Sequence, residues 1–578
     1  MYILGISCFY HDSAVALLKD GELVFAAEEE RFVRTKHYYD FPKLAVQAAL
    51  DYCGITIDDI DYVAFYEKPF RKFTRMIRTF LRVYPRGYMS FMRAIPSWTK
   101  RKLWLPLILD KELGYKGKIL FVGHHRAHAA SAFLVSPFEE AAILTVDGVG
   151  EDATTTLGRG KGSQITLTHE IDFPHSLGLL YSTVTAWLGF KPNNGEGKVM
   201  GLASYGKPTF REEFRDVIHI ADDGSFRLNM KYFDYHKRMR MFSRHFIRKF
   251  GPPRSAEDAL GETSRNMSAT LQNILEEAEI KLAETLYEKT KLDNLCIAGG
   301  VGLNSLANWR IARETPFKQV FVQPAAGDSG GALGAVFYAW NCILGNPRKY
   351  EMKTAYIGPG FTDDEIEKFL RAEDLPSSKM DEAGIIETAA GFLAEGKIVG
   401  WFQGRLEFGP RALCNRSILA NPLLPDMKDV LNARVKHRES FRPFAPVIPA
   451  EDRETYFDMH INSPFMLLIG DVKADKQKVV PAITHVDGTA RVQTLERDHN
   501  PLAYDLIRAF ERRTGVPVLL NTSFNIRGEP IVCTPEEAFQ CFVQTDMDYL
   551  FLGNFLLKKS EIGKKELSKK ALERISAD

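Results

Sequence analysis

The stretch GHHRAHAASAF, Gly123 to Phe133, places three histidines and an arginine directly after the apolar run 119–122. If Gly123 ends a strand and a helix starts near His124, then His124 and His128 stand four residues apart on one helical face, with His125 turned about 100° away. Two imidazoles at that spacing chelate a cation once further ligands join them. Asp147, closing the strand 142–147, and Asp328, in a glycine-rich segment, are the candidates, because strand ends and helix starts of an open α/β sheet converge on one crevice. Two nitrogens with two hard oxygens suit Fe(II), Mn(II) or Zn(II) and leave positions open for a ligand, and the lack of thiolates argues against a closed structural zinc site. The local sequence leaves a plainer reading open, in which His124 caps a helix and His128 packs in a core.

A second chemistry is carried by arginine. GRLEFGPRALCNR (404–416), NARVKHRESFR (432–442) and Arg491 gather fixed positive forks in one part of the chain, and arginine grips phosphate bidentately while lysine supplies a mobile point charge. Asn521 and Ser523 add polar groups at the end of the strand-like run 517–525. Surface salt bridging would not predict such clustering beside Gly and Pro, so a polyanion site is expected. Three strand-to-glycine junctions, at 146–150, 296–304 and 321–334, offer backbone N–H groups and helix N-termini to a phosphate. None matches a Walker A loop or GxGxxG, and GEGKVMG (195–201) has its lysine out of register for a P-loop.

The elements that must position these residues are legible in outline. Strands are expected at 2–7, 14–18 and 23–27, and the same strand-turn-strand pattern returns at 142–147, 154–157 and 165–168, which points to two related halves, each a sheet flanked by helices. A long helix is expected over 259–289, a connector over 345–361 that separates two domains, a helix near 363–372, and a capping box at Thr534–Glu537. Between the first two halves, residues 67–104 carry eleven Lys/Arg against the single acid Glu67, interleaved with aromatics. Such an insertion can cap a lobe, grip an acidic ligand or lie on a membrane surface. A second basic run covers 236–254.

At 578 residues the chain exceeds one core, and a net charge of +1 excludes a global nucleic-acid or membrane signature. The seven cysteines are odd in number, scattered and never CxxC, as expected for reduced thiols in a cytoplasm. No signal peptide or transmembrane run is read.

Eight ordered motifs, HHRAHAASAF, VDGVGEDATT, GEGKVMGLASYG, AGGVGLNS, PAAGDSGGALGA, GRLEFGPRAL, NARVKHRESFRPFAPV and PVLLNTSFNIRGEPIV, resemble the NodU/CmcH O-carbamoyltransferases nearly end to end. The resemblance implies a two-domain α/β protein: an N-terminal duplicated, actin-like domain (1–350) for carbamoyl transfer and a C-terminal YrdC-like domain (351–578) that forms carbamoyl-adenylate from carbamoyl phosphate and ATP. It implies an iron-type metal on His124, His128, Asp147 and Asp328. It assigns Lys436, Arg491 and Ser523 to adenylate formation with Arg411, Arg442 and Asn521 as further contacts, His11 to the transfer site, and Glu196, Lys198, Gly299, Gly300 and Asn304 to the adenylate. The partner is then a small-molecule hydroxyl acceptor such as a sugar, an antibiotic or another secondary metabolite, not nucleic acid, with a homodimer as the candidate assembly. An actin-fold small-molecule kinase is the alternative.

Overall fold

A computed structural model describes residues 1–100 and 102–562. Arg101, within the basic insertion, and 563–578, at the end of the expected second domain, lie outside the described residues. The chain forms two compact units: Met1–Glu30 with His37–Met352, and Arg31–Lys36 with Lys353 onward.

The first unit holds two five-stranded sheets. One comprises β1 (Tyr2–Ser7), β2 (Ala14–Lys19), β3 (Glu22–Glu28), β4 (Tyr62–Phe65) and β5 (Lys118–Phe121). The other comprises β6 (Glu140–Val146), β7 (Ala153–Lys161), β8 (Gln164–Asp172), β9 (Asn294–Ala298) and β10 (Gln319–Val322). Their orders, β3-β2-β1-β4-β5 and β8-β7-β6-β9-β10, are the same. In each, the first strand runs antiparallel to the hairpin partner and parallel to the fourth, so the expected duplication is real. β1 and β6 are buried along nearly their whole length, which is why both read as continuous apolar runs rather than alternating ones.

Helices α1 (Pro69–Val83) and α2 (Tyr88–Lys100) occupy the basic insertion. They are followed by α3 (His124–Phe133), α4 (Glu196–Ala203), α5 (Glu262–Thr290), α6 (Ser305–Glu314) and α7 (Asp328–Phe337). The glycines of α7 are not a phosphate loop. None has positive φ, and all sit inside the helix because side chains would not fit: a Cβ on Gly334 would come 1.8 Å from Ala127 O, and one on Gly331 would come 2.6 Å from Tyr66. Gly5 on β1 completes the contact, its Cβ falling 2.2 Å from Ala332 O. Helix α7 is thus pressed between β1 and α3, which brings Asp328 to the two histidines. Gly334→Ala must push α7 off α3, at a cost of about 3 kcal/mol. Thermal denaturation should show the loss as a lowered midpoint.

The second unit is built on an eight-stranded mixed sheet. Its strands are β11 (Ser378–Lys379), β12 (Val399–Phe402), β13 (Arg416–Ala420), β14 (Ala445–Pro449), β15 (Gln493–Leu495), β16 (Leu519–Ser523), β17 (Tyr549–Leu552) and β18 (Phe555–Lys558), in the order β11-β18-β17-β12-β13-β16-β14-β15. Helices Glu382–Ala394 and Pro501–Thr514 pack on it around Trp401, Phe510 and Phe551. The segment Arg31–Lys36 is fastened here by Arg31 Nη2 to Gly409 O (2.8 Å) and Arg34 Nη1 to Ile531 O (2.8 Å).

Candidate functional site

Helix α3 starts at His124 as the spacing predicts, with Gly123 as its N-cap. No side chain of the cap helps. Instead both oxygens of Glu151 accept from His124 N at 3.0 Å. The two imidazoles meet nitrogen to nitrogen, His128 Nε2 to His124 Nε2 at 3.0 Å, while Asp147 Oδ2 lies 3.1 Å from His124 Nε2. Asp328 Oδ1 stands 3.6 Å from His124 and 3.7 Å from His128. All four residues are buried, and their ligand atoms lie within 4.8 Å of one another.

Two facing Nε2 atoms cannot both donate, and neither Asp328 oxygen has a hydrogen-bond donor. A buried carboxylate pair beside opposed imidazole lone pairs is costly without a cation. The donor set therefore fits a metal with mixed nitrogen and oxygen preference. Burial opposes ionisation of Asp147, yet His124 and His128 hold its carboxyl well below the usual range. Its other oxygen accepts from Gly300 N at 2.8 Å. His125 is spoken for elsewhere, through Thr145 Oγ1 (2.7 Å) and Ala153 O (2.9 Å).

His11 reaches this cluster, its Nε2 3.8 Å from Asp328 Oδ2. Its Nδ1 is held at 2.8 Å by Asp12, whose other oxygen binds His37 Nδ1 at 2.7 Å. Burial alone would lower His11, but the carboxylates of Asp328 and Asp12 raise it to about 10.

In the second unit Lys436 is buried and fully engaged: Nζ donates to Ser523 O, to Asn525 O at 2.9 Å and to Asn525 Oδ1 at 2.9 Å, with Ser523 Oγ at 3.3 Å. Burial, then Arg438, holds it well below the ordinary lysine range. Arg491, on the short strand Thr489–Arg491, is depressed by burial and by the fields of Arg411, Arg438 and Arg442. Burial and Arg442 bring Arg411 down to about 10. Nε of both Arg411 and Arg491 lacks a partner. Asn521 Nδ2 donates to Gln493 Oε1 (2.8 Å) and Ala412 O (3.2 Å), tying β16 to the Arg411 loop. Four half-buried arginines this close together, with the buried Lys436 among them, could hold an anion with several charges.

A family model described as the carbamoyltransferase N-terminus matches residues 2–337, and one described as the carbamoyltransferase C-terminus matches residues 390–559. The chain belongs to the carbamoyltransferase family. This carbamoyltransferase is 45% identical to an uncharacterized protein of Synechocystis sp. over the full length of both. It is 38% identical to nodulation protein NolNO of Sinorhizobium fredii, over 98% of this chain and 81% of that one. It is 30% identical to 3'-hydroxymethylcephem-O-carbamoyltransferase of Amycolatopsis lactamdurans, over 90% and 92%. The kinship expected from the eight motifs holds, and with it an enzyme that transfers carbamoyl groups.

Within the carbamoyltransferase, the residues expected to meet an adenylate occupy the second half of the first unit. Glu196 Oε1 accepts from Ser182 Oγ (2.7 Å) and Asn193 N (2.9 Å), and Lys198 lies over the Phe190 ring. Gly299 takes φ +95, and a Cβ there would fall 2.2 Å from Val146 O, so only glycine serves. Gly300 turns its N–H toward Asp147, and Asn304 is the N-cap of α6, accepting from Ala307 N (3.1 Å) and joined to Gln272 (2.9 Å). Arg416 of the arginine run is structural: it donates to Asn415 O at 3.1 Å and Gly404 O at 3.1 Å beneath the Phe402 ring.

Sequence reasoning passed over Asp12, Asn525 and Arg438 as site residues, although each sits inside or beside a quoted motif. It also missed Glu279 on α5, whose carboxyl is raised to about 8 by burial and by Glu276. A raised folded-state value means that its contribution is present at pH 5 and lost as pH climbs toward 8. Glu279→Gln should therefore flatten a stability decline of about 3 to 4 kcal/mol between pH 5 and 8, measured by urea unfolding at both.

Proposed function

We propose that the protein is an ATP-dependent O-carbamoyltransferase with two half-reactions, one in each unit. The observation that carries this reading is the separation of chemistries: a half-buried arginine cluster around the buried Lys436 in the second unit, read as YrdC-like, and a buried His/Asp cluster in the duplicated first unit, read as actin-like. In the second unit, Arg491, Arg411 and Arg442 neutralise charge on carbamoyl phosphate and ATP, Lys436 holds Ser523 and Asn525 in place, and Ser523 Oγ orients a phosphate oxygen. One water and one ATP are consumed per carbamoyl phosphate. The water cleaves the bond between the carbamoyl group and phosphate, releasing phosphate and carbamate; a carbamate oxygen then bonds to the α-phosphorus of ATP, and pyrophosphate leaves with the bonding pair.

In the first unit, Glu196, Lys198, Gly299, Gly300 and Asn304 mark where the adenylate binds. His124, His128, Asp147 and Asp328 would hold the divalent cation, Fe(II) in this reading, which supplies Lewis acidity at a phosphate or carbamoyl oxygen. With Asp328 engaged as a ligand, less negative charge faces His11, and its Nε2, aligned through Asp12, can accept the acceptor hydroxyl proton. The acceptor oxygen bonds to the carbamoyl carbon, and AMP departs with the bonding pair. The acceptor is a small hydroxyl compound, such as a sugar or secondary metabolite. A panel of such compounds incubated with labelled carbamoyl phosphate and ATP should yield one that gains the mass of a carbamoyl group. If label never leaves the adenylate for any acceptor oxygen, the transfer half of the reading falls.

A further inference from the structure

The basic insertion is absorbed by neither half-reaction, and its surface has an unusual composition. On α1 the outward face carries Phe70, Arg71, Thr74, Arg78, Leu81 and Arg82, alternating apolar and cationic at helical spacing. Its inner face is pinned by Phe80 stacked on Phe91 at 4.1 Å and by Phe73 against Trp98 at 6.0 Å. The exposed groups are large: Phe70 is 68% exposed, Leu81 66%, Met89 65% and Met92 48%. The second basic run, flagged independently in the sequence, comes to the same place. Ser90 Oγ donates to Lys237 O at 3.2 Å, and Arg93 Nη1 lies 4.0 Å from the sulfur of Met239, a residue 76% exposed. In the second run the carboxylate of Asp234 faces Lys237, Arg238 and Arg240 together, leaving an excess of positive charge.

We infer that this face docks on the surface of an anionic lipid bilayer. Arginines interleaved with methionine, leucine and aromatic tips are what a bilayer interface accepts, the guanidinium groups meeting phosphates while the apolar ends enter the headgroup region. A second copy of the chain would set like charges against one another, and protein interfaces are depleted of charge at their centre. A nucleic acid would use the arginines but not the exposed Met89, Met92, Met239 and Leu81. The face also adjoins the His/Asp cluster: Lys68 N donates to Glu151 Oε1 (2.8 Å) and Arg75 Nη1 to Gly150 O (2.7 Å), and Glu151 caps the helix of His124. This docking stands whatever acceptor the enzyme uses.

The test is sedimentation of the full chain with vesicles of phosphatidylcholine alone and vesicles with about a quarter phosphatidylglycerol. Binding is expected to the anionic vesicles only, and to weaken as salt rises. Arg78→Glu with Arg82→Glu and Arg93→Glu should weaken it by about 100-fold or more, and Met89→Ser with Met92→Ser and Met239→Ser by about 10-fold. Wild-type melting curves would certify both variants as folded. Absence of binding to anionic vesicles, or binding indifferent to both variants, would overturn the inference. So would an RNA duplex that competes the vesicles off and binds as well to the methionine variant.

Discussion

In a chain carrying Asp328→Asn, carbamoyl transfer is expected to fall by roughly three orders of magnitude while carbamoyl phosphate-dependent release of pyrophosphate from ATP continues. Asp328 is fully buried at the first position of α7, reaches both histidines, and lacks any hydrogen-bond donor for its two oxygens. An amide keeps the shape but removes the charge that balances a divalent cation, so metal content by elemental analysis should drop with activity. The metal-free variant should be no less stable than the metal-free parent, since a buried carboxylate held beside imidazoles contributes little net stability. If pyrophosphate release were lost as well, the two chemistries would not be separate.

Arg491→Met is expected to do the reverse: to abolish pyrophosphate release by roughly three orders of magnitude and leave the metal content intact. It should also stabilise the ligand-free protein by about 1 to 2 kcal/mol, because Arg491 is a half-buried cation repelled by Arg411, Arg438 and Arg442, and a hydrophobic side chain of similar volume relieves that repulsion and the partial desolvation. Wild-type protein should gain about 2.7 kcal/mol from phosphate at a hundredfold its dissociation constant. The variant should gain much less. Differential scanning calorimetry with and without phosphate reads both effects.

Local pattern carried much of this architecture. The hairpin β1-β2-β3 and its counterpart β6-β7-β8 are visible because apolar runs and Asp-Gly or Gly-Lys turns are short-range signals, and the topology then repeats them faithfully. His124 and His128 are visible because four residues make a helical turn. Asp147 and Asp328 follow from where strands end and helices begin. What pattern does not carry is the partner across a long loop. The glycines of α7 look like a phosphate loop until Ala127 and Tyr66 are seen pressing on them. Nor does pattern show that the Asn304 side chain caps α6 and meets Gln272, which fixes its position beside the double glycine. Arg31–Lys36 lies in the sequence of the first unit, yet Gly409 and Ile531 claim it through hydrogen bonds more than 370 residues away in the chain. Asp12 escapes notice because a lone aspartate after His11 has no period, and its role shows only where both its oxygens meet imidazoles.

The most direct measurement follows every nucleotide product when the enzyme, ATP, labelled carbamoyl phosphate and an accepted hydroxyl compound react together. AMP and pyrophosphate in equal amounts, each matched by one carbamoylated acceptor and absent when carbamoyl phosphate is left out, is the expected result. ADP as the nucleotide product, with phosphate on the acceptor or with carbamoyl transfer that proceeds without ATP cleavage at the α-phosphorus, would contradict it.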